Sequence, residues 1–123
     1  MSESWEPPFT RAVTNVLAQG DGAEIVLGEL GKLPHAQTVE VKTGWFSRVA
    51  YLALGDRRFR PTPDGRILAQ HVVGDVAVSS DTLAPGDAGL VITSAVRTHI
   101  HHFGPQLEAD VVAITAGLQA LAG

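Results

Sequence analysis

The sequence predicts an α+β domain with a five-stranded antiparallel meander in spatial order 1-2-3-4-5. One or two N-terminal helices and two C-terminal helices are expected to pack on one face of the sheet. The first observation is a change of period: apolar residues alternate from Ala36 onward, whereas both ends of the chain show helical spacing. The second is a set of short turn signals, which force neighbouring strands to run antiparallel. These signals are Gly44-Trp45, Gly55-Asp56, Pro63-Asp64-Gly65 and Gly74-Asp75.

The N-terminal part predicts one clear helix and one ambiguous segment. Pro7 and Pro8 suit the first turn of a helix that ends before Gly20. Residues 22–30 remain open between helix and strand, because Asp21 and Glu24 resemble a capping box while the following apolar run also suits an extended chain. The 123 residues fit a single domain, 1–123, in which residues 1–6 are expected to form a disordered tail.

The turns predict strand bounds and a register for the sheet. We expect strands at 37–43, 46–54, 57–62, 66–73 and 76–81. Two-residue loops place Leu52 opposite Phe59 and His71 opposite Val78. This register gives one apolar face, which the helices should cover: Val39, Val41, Phe46, Ala50, Leu52, Leu54, Phe59, Ile67, Ala69, His71, Val73, Val76 and Val78. It also gives a mainly polar face: Thr38, Glu40, Lys42, Ser47, Val49, Tyr51, Ala53, Arg58, Arg60, Arg66, Leu68, Gln70, Val72, Ala77, Ser79 and Asp81.

Two charged residues contradict this separation of faces. Arg48 and Arg57 both fall on the apolar face. Arg57 lies beside a turn and can reach water, whereas Arg48 lies in mid-strand and this register does not explain it.

Two helices are predicted after the sheet. Pro85 suits a first helical position, and Gly104-Pro105 ends the first helix and starts the second. The last helix carries the strongest helical periodicity in the chain, and we expect its stripe to be buried against the sheet or the preceding helix. The stripe consists of Leu107, Val111, Ile114, Leu118 and Leu121.

Composition excludes several classes of function. The net charge of −4 argues against a general nucleic-acid-binding protein. The absence of cysteine excludes thiolate chemistry and fits a reducing compartment. The N-terminus lacks the features of a signal peptide, and no apolar run approaches the roughly 18 residues that span a bilayer. We therefore expect a cytoplasmic protein without a membrane partner, and the lack of phosphate-binding and nucleophile motifs predicts no cofactor.

The histidines form one candidate site. His99, His101 and His102 lie near the end of a predicted helix, where the helix dipole favours His101 and His102. His99 and His102 are three residues apart, whereas helical metal pairs are usually four apart, and no carboxylate lies within a turn upstream. We therefore expect no bound metal. His71 is expected to be a core histidine with one hydrogen-bond partner.

The arginines form the second candidate site. Residues 47–66 carry a net charge of +3 on an otherwise acidic chain. The predicted register places Arg60 opposite Tyr51, an arrangement that suits a guanidinium over an aromatic ring. The candidate binding residues on this face are Tyr51, Arg58, Arg60, Arg66 and Leu68. The simpler interpretation is a solvated face whose arginines pair with Glu40 or Asp81.

These observations favour a non-enzymatic protein-binding or adaptor-type domain. It is expected to be a homodimer whose arginine-bearing face binds a second copy or an acidic protein partner. At the level of topology the predicted fold is similar to small dimeric α+β chaperones and adaptors. The alternative is a small-ligand-binding protein or enzyme with a pocket between helices and sheet, lined by His71, Arg48 and the His99/His102 pair.

Overall fold

The predicted architecture is confirmed by a computed structural model, which describes residues 4–122. The five strands form one antiparallel sheet in the order β1-β2-β3-β4-β5. Residues 22–30, left open by the sequence, are helical. The elements in chain order are α1 (Glu6–Leu17), α2 (Gly22–Leu30), β1 (Gln37–Lys42), β2 (Arg48–Leu54), β3 (Arg57–Pro61), β4 (Ile67–Val73), β5 (Val76–Leu83), α3 (Pro85–Phe103) and α4 (Leu107–Ala122).

The helices lie on one side of the sheet and enclose the core. α2 and α3 make the main helix contacts with the strands, and α1 packs on α2, α3 and α4. Gly89 allows α1 and α3 to approach closely, because a Cβ atom there would lie 2.2 Å from Oγ1 of Thr14. The hydroxyl groups of Thr10 and Thr93 also meet across this interface, at 2.5 Å. Phe9 of α1 and Phe59 of β3 are both fully buried in the resulting core.

Packing, rather than capping, holds the two N-terminal helices. Asp21 directly precedes α2, but its side chain makes no capping hydrogen bond. The predicted capping box is therefore wrong, although the helix exists. The predicted tail at residues 1–6 lies partly outside the described residues. Within the described part, Trp5 packs edge-on against Phe9 at 5.5 Å between ring centroids, and Glu6 begins α1.

The central register is confirmed, and the β4–β5 register is partly wrong. Leu52 lies opposite Phe59, as predicted. The two-residue turn Gly74-Asp75 also forms, but a bulge between His71 and Val72 places Ser79, not Val78, opposite His71. One extra residue on a bulged strand reverses the faces beyond it. Ser79 and Asp81 therefore lie on the helix side of the sheet. The valines at the tip of this hairpin, predicted to be covered, are exposed: Val73, Val76 and Val78.

The register of β1 is wrong by one residue. The β1–β2 connection is a five-residue loop, closed by a 2.9 Å hydrogen bond from the Thr43 N–H to the Ser47 carbonyl, and not a two-residue turn at Gly44-Trp45. Val39 therefore pairs with Tyr51 and Val41 pairs with Val49. Both valines lie on the face away from the helices.

The new register also explains Arg48. Its side chain is 71% exposed and lies 3.6 Å from the Glu40 carboxylate. Ala50, on the same side of the sheet, is exposed too, so the helices do not cover this end of the hairpin. Phe46 lies in the loop and is fully exposed, which contradicts its predicted place on the covered face. Arg57, the other unexpected charge, is half-buried opposite His71.

The last helix departs from the prediction in two respects. Leu121 is 51% exposed, so the buried stripe ends one turn earlier than predicted. α4 packs mainly against α1, with lesser contacts to α2 and α3, instead of covering the sheet. The remaining four residues of the stripe are buried, as predicted: Leu107, Val111, Ile114 and Leu118.

Candidate functional site

The side of the sheet away from the helices is the first candidate surface, and we call it the open face. β3 lies at the centre of the sheet and carries two arginines on this face, with apolar side chains on both sides of them. The strand register assigns the following residues to the open face: Val39, Val41, Val49, Tyr51, Ala53, Arg58, Arg60, Leu68, Gln70 and Val72.

Tyr51 is the most enclosed residue of the open face. It is only 6% exposed although it lies outside the main core cluster. The Arg60 guanidinium carbon lies 5.7 Å from the centroid of the Tyr51 ring, which confirms the predicted cross-strand pair. Val39 flanks the ring on the other neighbouring strand. The face therefore presents a shielded ring with an arginine over it, whereas the sequence predicted an exposed tyrosine.

The two central arginines have different hydrogen-bonding states. Nη2 of Arg58 donates to the backbone carbonyl of Asp75 at 2.9 Å, which ties Arg58 to the β4–β5 turn. Nε of Arg60 is buried and has no hydrogen-bond partner among the described residues. A buried N–H group without an acceptor is uncommon in folded proteins. Nε of Arg57, on the helix side of the same strand, is in the same state, so this feature does not distinguish the open face.

Arg66 lies at the margin of the open face. Its guanidinium lies 3.8 Å from the Asp64 carboxylate, in the turn between β3 and β4. The Thr62 hydroxyl donates to the same carboxylate. This hydrogen bond is the main reason that the pKa of Asp64 is lowered, with a smaller contribution from the charge of Arg66. Arg66 is therefore a marginal residue with its own carboxylate, and Arg58 and Arg60, on the central strand, are the central cations of the face.

The residues proposed for the alternative pocket lie in separate places. Arg48 pairs with Glu40 at one end of β2. His71 faces Asp56 at the opposite end, with 3.5 Å between Nδ1 and Oδ2. β2 has seven residues, so its two ends lie about 20 Å apart along the extended chain. Arg48 and His71 therefore do not line one pocket.

His99 is a buried structural residue. It is 1% exposed. Its Nδ1 accepts the Gly55 N–H at 3.3 Å, so the proton is on Nε2, which donates to the Pro34 carbonyl at 2.9 Å. Burial lowers the pKa of His99, and the nearby His35 and His102 lower it further against the opposing effect of the Pro34 bond.

Three histidines surround one phenylalanine at the end of α3. The ring of His35 stacks on Phe103 at 4.4 Å, and the rings of His99 and His102 approach it at 4.7 Å. The sequence did not predict this cluster. The four-residue spacing of His99 and Phe103 was a usable signal, but nothing local indicated that His35 would join them. In residues 4–122, no group of three or more His, Asp or Glu side chains is placed to hold a metal ion.

Three cavities lie on the helical side of the molecule. One of about 430 Å³ lies between α1 and α3, beside the ion pair of Arg97 and Glu6. A second, of about 360 Å³, shares that ion pair and includes His101 and Glu108. A third, of about 310 Å³, is acidic and lies where α2 meets the β3–β4 turn. None of these three cavities includes an open-face residue.

No described helix is long and apolar enough to cross a bilayer. No curated protein and no solved structure matches the sequence significantly. One protein family does match, and its model covers residues 3–123. The chain therefore belongs to the family described as a domain of unknown function, DUF5073.

Proposed function

We propose that this protein is a non-enzymatic, adaptor-type protein-binding domain, homodimeric and cytoplasmic, whose open face binds an acidic segment of a partner protein. The observation that carries the proposal is the pair of arginines on the central strand, flanked by apolar side chains on a face that none of the described helices covers. The absence of cysteine is consistent with the proposed compartment.

The apolar component of the open face supports a binding role. Val39 and Val41 join Val49 and Tyr51 on one side of the arginines, and Leu68 lies on the other side. A sheet face that only meets water does not need this much apolar surface. Interfaces combine such apolar area with arginine, a residue enriched at binding hot spots.

The charge distribution indicates the chemistry of the partner. The residues that the register assigns to the open face include Arg58 and Arg60 and no carboxylate, while the whole chain is negative by four charges. A local positive region on an acidic molecule attracts acidic partners and raises their association rate. Carboxylates are also suitable acceptors for the guanidinium groups of arginine, and Arg58 and Arg60 both lie on the open face of β3. An extended segment with acidic and apolar residues matches both properties of the face.

The experiment compares two double variants with the same net charge. Arg58→Ala with Arg60→Ala removes the central cations of the open face. Arg11→Ala with Lys32→Ala removes two exposed cations from the helical side and is the control. Each protein is immobilised and exposed to the same extract of the cells that produce it, and the retained proteins are quantified by mass spectrometry.

The proposal predicts that the wild type and the control retain a common protein and that the face variant loses it. High salt should weaken retention by the wild type, because charges at the rim of an interface are screened over about 8–10 Å at physiological ionic strength. Thermal melting should show that the face variant is folded. Equal retention by all three proteins would mean that the open face is ordinary solvated surface.

A further inference from the structure

The two edges of the sheet differ in their ability to pair with another strand. A free edge presents unpaired N–H and C=O groups and is a template for a further strand, unless a bulge or a covering element protects it. β5 is the edge strand whose pairing with β4 shifts register between His71 and Val72. β1 pairs with β2 without interruption along all six of its residues, and four of the six are exposed. β1 is therefore the edge that is open to pairing.

The backbone geometry determines which groups of β1 point outward. The Thr43 N–H bonds to Ser47 on the β2 side. The N–H and C=O groups of successive residues point to opposite sides of a strand, so those of Val39 and Val41 also point toward β2. Glu40 and Lys42 then direct their N–H and C=O groups away from the sheet, along with Thr38. A strand added at this edge must bond to these residues.

Charge selects one register for a second copy of β1. Antiparallel self-pairing about Val41 places Glu40 opposite Lys42 of the second copy, and this contact occurs twice because the arrangement is two-fold symmetric. These are also residues whose backbone groups point outward, so the two would form hydrogen-bonded pairs. Pairing about Glu40 or Lys42 would instead place like charges opposite each other at the two-fold axis, which is destabilising.

We infer that the protein forms a homodimer by antiparallel pairing of β1 with β1 of a second copy about Val41, which produces a continuous ten-stranded sheet. This inference rests on the homodimeric part of the proposed function and locates its interface. Val41 would meet its symmetry mate on the open face, and the two open faces would become one surface.

The loop after β1 supplies further apolar area to this interface. Trp45 is 88% exposed and Phe46 is fully exposed. In the register about Val41, this loop runs alongside the first residues of β1 in the second copy. Pairing of two edge strands alone buries little surface compared with a stable interface, which covers at least about 1,000 Å². The two aromatic side chains provide the apolar contact that the strand backbones lack.

The experiment uses charge reversal and measures mass by light scattering over a range of concentrations. The wild type should show a concentration-dependent dimer. Lys42→Glu and Glu40→Lys should each raise the dimer dissociation constant by about tenfold or more, because each replaces two attractive cross-strand pairs with two repulsive ones. The double variant E40K/K42E restores opposite charges in the same register and should recover the affinity of the wild type.

Glu40→Lys also removes the ion pair between Glu40 and Arg48 within one copy. The double variant lacks this ion pair too, so it controls for that loss. A monomeric wild type would overturn the inference, as would single variants that dimerise like the wild type, or a double variant that does not recover. The Arg58→Ala, Arg60→Ala protein should remain dimeric. If it dissociates while the charge-reversal variants do not, the open face is itself the dimer interface and the assignment to β1 is wrong, although the binding role of the face stands.

Discussion

Protonation of His99 should make the fold less stable in mild acid. Burial lowers its pKa in the folded state, so between that value and about 6.5 the unfolded chain binds a proton that the folded chain does not. The free energy of unfolding then rises with pH in this interval, with a maximum slope of about 1.4 kcal/mol per pH unit. If His99 stays neutral in the folded protein, its contribution to the free energy of unfolding falls by up to about 1.4 kcal/mol as the pH is lowered from 7.5 to 5.5.

The comparison with His99→Gln isolates this contribution. Glutamine is neutral at all these pH values and keeps both a donor and an acceptor for Pro34 and Gly55, the two groups that His99 bonds. Urea denaturation at intervals between pH 5 and pH 8 gives the free energy of unfolding of both proteins. The free energies of unfolding of the two proteins should approach each other as the pH falls below about 6.5, because only the wild type loses the contribution of His99. Parallel curves would show that His99 titrates equally in both states and would refute the reasoning.

Two further predictions concern packing. Ile114→Ala should lower the free energy of unfolding by about 2–5 kcal/mol, whereas Leu121→Ala on the same helix should cost less than about 1 kcal/mol, and denaturant unfolding would measure both. Equal costs would contradict the packing of α4. Gly55→Ala should destabilise the protein more than Gly74→Ala. Both glycines have a positive φ, 58° for Gly55 and 53° for Gly74. A Cβ atom at Gly55 would lie 2.7 Å from the carbonyl oxygen of Ala95, whereas a Cβ atom at Gly74 would face open space. The left-handed backbone alone accounts for about 1–2 kcal/mol in each, so similar melting temperatures would show that the turn moves away from α3 freely.

The sequence predicted the centre of the sheet correctly because its turns carry their own geometry. Gly55 and Gly74 supply the positive φ angles that two-residue hairpins require, and these loops fix the neighbouring pairs directly. The Arg60–Tyr51 contact follows from the first of them. The most specific part of the candidate site was therefore available from local chemistry.

The errors arose where local chemistry was ambiguous. Gly44 suggested a tight turn, but the connection between β1 and β2 has five residues. The alternating valines Val39 and Val41 could lie on either face, because this end of the hairpin extends past the helices. The bulge at Val78 of β5, opposite the step from His71 to Val72, could not be inferred, since a single unpaired residue leaves the alternating pattern on both sides intact. The stacking of His35 on Phe103 depends on the packing of the α2–β1 loop against α3, which no local pattern specifies.

Pairing through β1 would determine the size of the surface that a partner meets. The arginines lie on β3, two strands from the proposed two-fold axis, so five interstrand spacings separate the two β3 strands of a dimer. At about 4.8 Å per spacing this is roughly 24 Å, before the twist of the sheet is considered. An extended chain covers that distance in about seven residues. One acidic segment of ordinary length could then contact both arginine pairs, and the second contact would be intramolecular and favoured by a high effective concentration. Dimerisation and recognition by the open face would thus reinforce each other, while either surface can be removed without the other.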